Sequence, residues 1–156
     1  MRLPQWSEFE QNCATRLRQA GWAAAVLGQS GDQGVDILAK KRGVRVVFQC
    51  KCYATPVGNS AVQEAYAGRA HSQAHHAAVV GKSGYTRSAR DLAGRVGVLL
   101  LCPSDLGRAD TLFRVPAEVI KRRQVICRCG VMLNLPAGRM GWVVCPKCER
   151  RRWRIT

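Results

Sequence analysis

The chain has 156 residues, 47% of them apolar, with 25 Lys and Arg against 10 Asp and Glu, and its formal net charge is +15 at a pI near 10.3. This length holds one ordinary domain, or one domain with a small appendage, and the apolar content excludes a globally disordered chain. The charge excess points to a polyanionic partner, bound through phosphate contacts and counterion release. Residues 1–11, MRLPQWSEFEQ, carry no apolar signal-peptide core. The longest apolar run, residues 96–102, is too short to span a bilayer. A cytoplasmic protein is expected. There, eight cysteines imply metal ligands or buried thiols rather than disulfides.

Residues 5–20 read as an amphipathic helix, with Trp6, Phe9, Cys13 and Leu17 at spacings of three and four. Gly21 ends it, and residues 23–27 form a short strand. Residues 28–34 are a turn-rich loop. Residues 35–40 and 44–52 are β-rich runs joined at Arg42-Gly43 as a hairpin. Their two faces are both largely apolar, which places them inside a covered sheet. Residues 53–60 are a loop with Pro56 and Gly58, and 61–72 are helical. Residues 77–80 form a strand and 81–85 a loop. Thr86 caps a helix through Arg95, and residues 98–102 are a buried strand stopped by Pro103. The order α-β-β-β-α-β-α-β is that of an α/β sandwich with a mixed central sheet. Residues 103–124 have short apolar pieces and read as a connecting segment. Residues 125–156 hold four cysteines and many arginines.

The hairpin carries a geometric argument. With Arg42 and Gly43 as its loop residues, Lys41 faces Val44, and counting outward Asp36 faces Gln49. Opposed residues place their side chains on one face, with Cβ atoms roughly 5 Å apart. Lys51, two residues beyond Gln49, points to that face as well. Three polar groups on one face of an apolar hairpin are expensive as structure and useful as chemistry. The Asp36 carboxylate and the Gln49 amide oxygen are ligands for a hard cation such as Mg²⁺ or Mn²⁺. The Lys51 ammonium can orient a water and stabilise charge on a phosphate. Glu10 lies inside the apolar stripe of the first helix, where a carboxylate asks for a partner. It fits equally well as the third residue of a capping box opened by Ser7.

These residues together resemble the PD-(D/E)xK nuclease superfamily, and more narrowly the catalytic domain of Mrr-type restriction endonucleases. The resemblance rests on Phe9-Glu10, on the run Gly31-Asp32-Gln33-Gly34-Val35-Asp36, on Gln49-Cys50-Lys51, and on Val57-Gly58 followed by Val62-Gln63-Glu64. It covers residues 5–106. It implies a restriction-endonuclease-like fold, Asp36, Gln49 and Lys51 as the catalytic motif, and Glu10 as the helix-borne acid, with Asp36, Gln49 and Glu10 as the Mg²⁺ residues. Gln49 stands where the superfamily more often has Glu, which leaves one negative charge fewer for a metal. The winged-helix DNA-reading domain of some relatives has no counterpart in this sequence.

Cys127-Arg128-Cys129 is followed after fifteen residues by Cys145-Pro146-Lys147-Cys148. Two close pairs at this separation supply four thiolates for a tetrahedral Zn²⁺. The second pair is an ordinary C-x₂-C knuckle and the first is the tighter C-x-C. Residues 133–136 and 142–144 are the strands of the resulting zinc ribbon, whose folding free energy comes from the metal. Arg122, Arg123, Arg150, Arg151, Arg152 and Arg154, with Trp153, are placed for phosphate contacts and base stacking, and Lys82 for a phosphate.

Cys13, Cys50 and Cys102 read as core residues, and Cys52 shares the face of Cys50. His71, His75 and His76 have no acidic or thiol partner spaced nearby. Gly81-Lys82-Ser83 lacks the first glycine of a P-loop, since His76 stands there. The domain expectation is a nuclease domain over 1–106, a linker over 107–124 and a zinc ribbon over 125–156. The functional expectation is a Mg²⁺-dependent endodeoxyribonuclease acting on double-stranded DNA in restriction of foreign DNA, as type IV restriction enzymes do. A homodimer would supply two active sites. Alternatives are a junction-resolving or repair nuclease on the same core, and a non-catalytic DNA-binding protein built on a dead one.

Overall fold

The computed structural model describes residues 5–27, 35–117, 122–137 and 140–155, with the backbone alone for residues 5, 122, 123, 136 and 152–155. These fall into two compact units, Met1–Pro116 and Ala117–Thr156.

Helix α1 (Gln5–Gln19) packs Cys13, Ala14 and Leu17 into the core. Its apolar stripe starts at Phe9, because Trp6 is exposed. Gly21, at φ +81°, adopts the left-handed conformation that ends the helix, and the Trp22 N–H donates back to the Leu17 carbonyl at 3.0 Å. Strands β1 (Ala23–Val26), β2 (Ile37–Lys41) and β3 (Val44–Lys51) follow as an antiparallel meander. Arg42 and Gly43 both have positive φ, the requirement of a two-residue type I′ hairpin turn. The register pairs Lys41 with Val44 and runs to Ile37 with Phe48.

Helix α2 (Asn59–His71), strand β4 (His76–Gly81), helix α3 (Arg87–Val96) and strand β5 (Val98–Leu101) complete the layers. Strands β4 and β5 join parallel, giving a five-stranded mixed sheet in the order β1-β2-β3-β4-β5. Alternation along β3 divides the interior. Val46, Phe48 and Cys50 pack with α1, whereas Val47 packs with residues of α2 and α3. The Thr86 side chain accepts the Ala89 N–H at 3.1 Å and caps α3. The Tyr85 hydroxyl accepts from the Gly81 and Leu101 N–H groups and donates towards the Val79 and Leu101 carbonyls, which ties the loop after β4 to β5.

The sequence reading treats 103–124 as connection and 107–124 as linker, but residues 103–116 belong to the first unit. A 3-10 turn (Pro103–Arg108) leads into the single-turn helix α4 (Ala109–Leu112), and Leu106, Ala109 and Phe113 are buried on the α1 side of the sheet. The Phe113 ring meets Phe48 and Trp22 edge-on, with centroids 5.6 and 6.1 Å apart. Asp110 accepts from Trp22 Nε1 at 2.8 Å and pairs with Lys41.

The second unit holds two antiparallel hairpins, β6 (Arg122–Ile126) with β7 (Met132–Pro136), and β8 (Met140–Val144) with β9 (Arg151–Ile155). Two of these strands occupy the arginine-rich ends that the sequence leaves unassigned. No described helix is long and apolar enough to cross a membrane.

Candidate active site and metal centre

Asp36 sits one residue before β2, where the ladder to β3 gives way. Its N–H still donates to the Phe48 carbonyl at 3.1 Å, and its Oδ2 accepts the Cys50 N–H at 2.6 Å. The carboxylate thus takes the place of a ladder carbonyl and is fixed to the strand that carries Gln49 and Lys51. The Gln49 side chain lies near enough to Asp36 to favour its charged form. Gln49 is 4% exposed, and its Oε1 is a buried acceptor without a partner. A buried orphan acceptor asks for an explanation. Set beside the Asp36 carboxylate, it is an oxygen donor for a hard cation, and this donor set fits Mg²⁺ or Mn²⁺.

Lys51 ends β3 on the α2 side and forms an ion pair with Glu64 of α2 at 2.8 Å. Its Nζ lies 6.0 Å from the centroid of the Tyr53 ring. Burial pulls the ammonium towards neutrality, but the hydrogen bond and charge of Glu64, with Tyr53 and Asp36 behind them, hold its pKa above the ordinary value. Burial raises the Asp36 carboxyl, helped by the charge of Glu64 and opposed by Cys50, Lys51 and Gln49.

Glu10 reaches this group from α1, on the other side of the sheet. Burial and the Asp36 charge raise its carboxyl, and Lys51 works against them. Because α1 already includes Gln5, Ser7 is inside the helix and is not its N-cap. The capping-box alternative for Glu10 is therefore removed. Glu10, Asp36, Gln49 and Lys51 come together. Glu64, to which the sequence reading gave no role, joins them. The glycine-rich run 31–34 lies outside the described residues.

Cys50 faces away from this group and shares a core cluster with Cys13. The Cys13 thiol and burial push the Cys50 thiol up, and Cys50 pulls Cys13 down. Lys82 is exposed at the end of β4, its N–H 3.3 Å from the Lys51 carbonyl. The Ser83 hydroxyl is committed to the Tyr53 carbonyl at 2.6 Å. His75 Nδ1 accepts the Arg45 N–H, and His76 lies against Phe113. Both are structural.

In the second unit the sulfurs of Cys127, Cys129, Cys145 and Cys148 lie within 4.8 Å of one another. Two knuckles bring them there. In the first, the Cys127 N–H donates to the Val131 carbonyl and Gly130 turns the chain at φ +84°. In the second, the Glu149 N–H donates to the Cys145 carbonyl at 2.8 Å and Glu149 turns it at φ +54°. Backbone N–H groups of Cys148 and Lys147 point at the Cys145 sulfur and hold its thiol down at about 6, burial opposing. Cys129 stands at about 11: the Val131 N–H lowers it, but burial and the neighbouring thiols prevail. Four sulfurs at this separation form a group that could hold one metal ion. Arg150 and Arg151 are exposed, whereas the side chains of Arg122, Arg123, Arg152, Trp153 and Arg154 lie outside the described residues.

Three solved structures are similar to parts of this chain. A crystal structure of a protein of unknown function, AF1548, is 22% identical at a TM-score of 0.51, covering 62% of this chain and 58% of that one. The DNA modification-dependent restriction endonuclease AspBHI is 20% identical at 0.49, covering 69% of this chain and 31% of that one. The MspJI restriction endonuclease, in complex with a 27-mer oligonucleotide, is 20% identical at 0.47, covering 73% and 29%. The chain therefore spans less than two thirds of each. No curated protein matches it. The family model Mrr_cat, described as restriction endonuclease, matches residues 2–109. That segment carries the five-stranded sheet and all of Glu10, Asp36, Gln49, Lys51 and Glu64, and through it the chain belongs to the Mrr_cat restriction endonuclease family.

Proposed function

We propose that this protein is a metal-dependent endodeoxyribonuclease that cuts double-stranded DNA at the group formed by Asp36, Gln49, Lys51 and Glu10, in restriction of foreign DNA in the cytoplasm, with the type IV enzymes as its nearest kind. The carrying observation is the orphaned, buried Oε1 of Gln49 beside the Asp36 carboxylate and the Lys51 ammonium. Asp36 and Gln49 would hold Mg²⁺ or Mn²⁺, with Glu10 accepting hydrogen bonds from water around it. Such an ion, when bound, neutralises phosphate charge and acidifies water. The Lys51 ammonium holds a non-bridging oxygen of the scissile phosphate and stabilises the charge that grows there. Glu10, whose carboxyl is raised by burial and by the Asp36 charge, would accept a proton from the water. Lys82 contacts a neighbouring phosphate. Cys127, Cys129, Cys145 and Cys148 would hold one structural Zn²⁺, and the arginines of the second unit add sequence-independent phosphate contacts. Two chains related by a two-fold axis would cut both strands.

The test is cleavage of supercoiled plasmid with Mg²⁺ or Mn²⁺. Asp36→Ala and Lys51→Ala should each slow cleavage by about 10²-fold or more, with the fold and duplex affinity retained. One feature favours a second reading, a DNA-binding protein without cleavage: Gln49 offers the metal no charge. A parent protein that binds plasmid but leaves it uncut with either ion would establish that alternative.

A further inference from the structure

We propose that Glu64 is a positioning residue of this site: it holds the Lys51 ammonium in place for the phosphate. The inference rests on the nuclease reading above. Helix α2 buries Ala61, Val62, Ala65 and Gly68 against the sheet, which fixes the turn bearing Glu64 over the end of β3. Val62 and Ala65 flank Glu64 and are 0% and 1% exposed, so the helix cannot rotate Glu64 away without opening that core. From this perch the carboxylate meets Lys51 Nζ at 2.8 Å, with the two side chains 16% and 37% exposed. The pair is therefore half-sheltered, unlike a solvated surface ion pair of little consequence.

The stoichiometry of the contact is what makes it useful. An ammonium has three N–H donors. Glu64 takes one and leaves two for the phosphate oxygens or the attacking water. A lysine side chain has many rotamers, and an unpaired Lys51 would spend its time among them. The ion pair confines it before DNA arrives, so its ordering is not charged to the reaction. Glu64 also places a carboxylate on the face where Gln49 carries none, since Gln49, Lys51 and α2 share one side of the sheet.

The experiment uses the full chain and Glu64→Gln, which keeps the helix-forming length and removes the charge. The first measurement is acylation of Lys51 by an N-hydroxysuccinimide ester, read by peptide mass spectrometry against exposed Lys40 as internal reference. Removing the carboxylate should speed Lys51 labelling several-fold and leave Lys40 unchanged, while Lys41, sheltered against Asp110, stays slow and so reports an intact fold. The second is single-turnover plasmid cleavage with Mg²⁺. Its rate should fall by about 10- to 100-fold with duplex affinity unchanged, and Glu64→Gln should add nothing to Lys51→Ala. Unchanged Lys51 labelling, or cleavage at the parental rate, overturns the role of Glu64 while Asp36→Ala still separates a live site from a dead one. A parent that cuts nothing overturns the nuclease reading and this role together.

Discussion

Replacing Cys145 with serine should unfold residues 122–155 and leave the first unit folded. Among the described residues of the second unit, the buried hydrophobic residues are Cys127 and Cys145, while Ile126, Met132, Met140, Trp142 and Val144 are each more than half exposed. What remains without a metal is a pair of two-stranded hairpins, and an isolated hairpin is marginal in water. A structural Zn²⁺ contributes about 10–16 kcal/mol to such a module, far more than the hairpins can supply. Cys145 is the most telling ligand to remove. Its sulfur receives the Lys147 and Cys148 N–H groups, so serine loses a metal bond and loosens the knuckle together. The first unit has its own two clusters, around Phe48 and Phe113 on one side of the sheet and Val47, Val62 and Val79 on the other. The assay is hydrogen exchange read peptide by peptide, with zinc counted by elemental analysis. The parent should carry one zinc per chain and protect 122–155. The variant should carry none and exchange those residues at unfolded rates, with β3 and β4 still protected. Protection of 122–155 in zinc-free protein would refute the reasoning.

Ten of the 25 Lys and Arg lie in residues 117–156, so removing that unit should weaken duplex binding. The dependence of log K on log salt should flatten by about 0.9 for each phosphate that is no longer neutralised. A salt titration of both proteins measures this, and an equal slope would exclude the second unit from the DNA. Tyr85→Phe removes a hydroxyl that accepts two backbone N–H groups, at a cost of about 2–4 kcal/mol. Thermal unfolding should fall by several degrees, with cleavage at low temperature unaffected because the hydroxyl does not touch the site.

The hairpin was legible because its turn leaves little freedom. Arg42-Gly43 fits a two-residue I′ loop, and counting from it gives the register through Ile37 and Phe48. The convergence of Asp36 with Gln49 and Lys51 follows from that count. What the count misses is that Asp36 has left the ladder and bonds the Cys50 N–H through its side chain. Glu64 was not legible, because its meeting with Lys51 depends on which turn of α2 lies over β3, a matter of packing between elements joined by a loop. Residues 103–116 misled for a related reason. Pro103, Ser104 and Gly107 have the composition of a loop, whereas Leu106, Ala109 and Phe113 are held by the core they close. The start of α1 misled through local chemistry: Ser7-Glu8-Phe9-Glu10 satisfies the capping-box pattern inside a helix that began earlier.

The distribution of acids argues for a cation independently of any motif. The first unit has eight Asp and Glu in a chain of net charge +15, so each could have found a basic neighbour. Asp105 and Asp110 did, pairing with Arg108 and Lys41. Three of the others, Glu10, Asp36 and Glu64, gather instead around a single Lys51. Burial and mutual repulsion raise the carboxyls of Glu10 and Asp36, so this gathering costs stability in the protein alone. Three carboxylates and one ammonium leave two negative charges, the complement of one divalent ion. On the proposed reading, a strongly basic protein that concentrates its scarce acids beside an orphaned amide oxygen would receive a cation there, and that cation would let a phosphate approach three carboxylates that otherwise repel it.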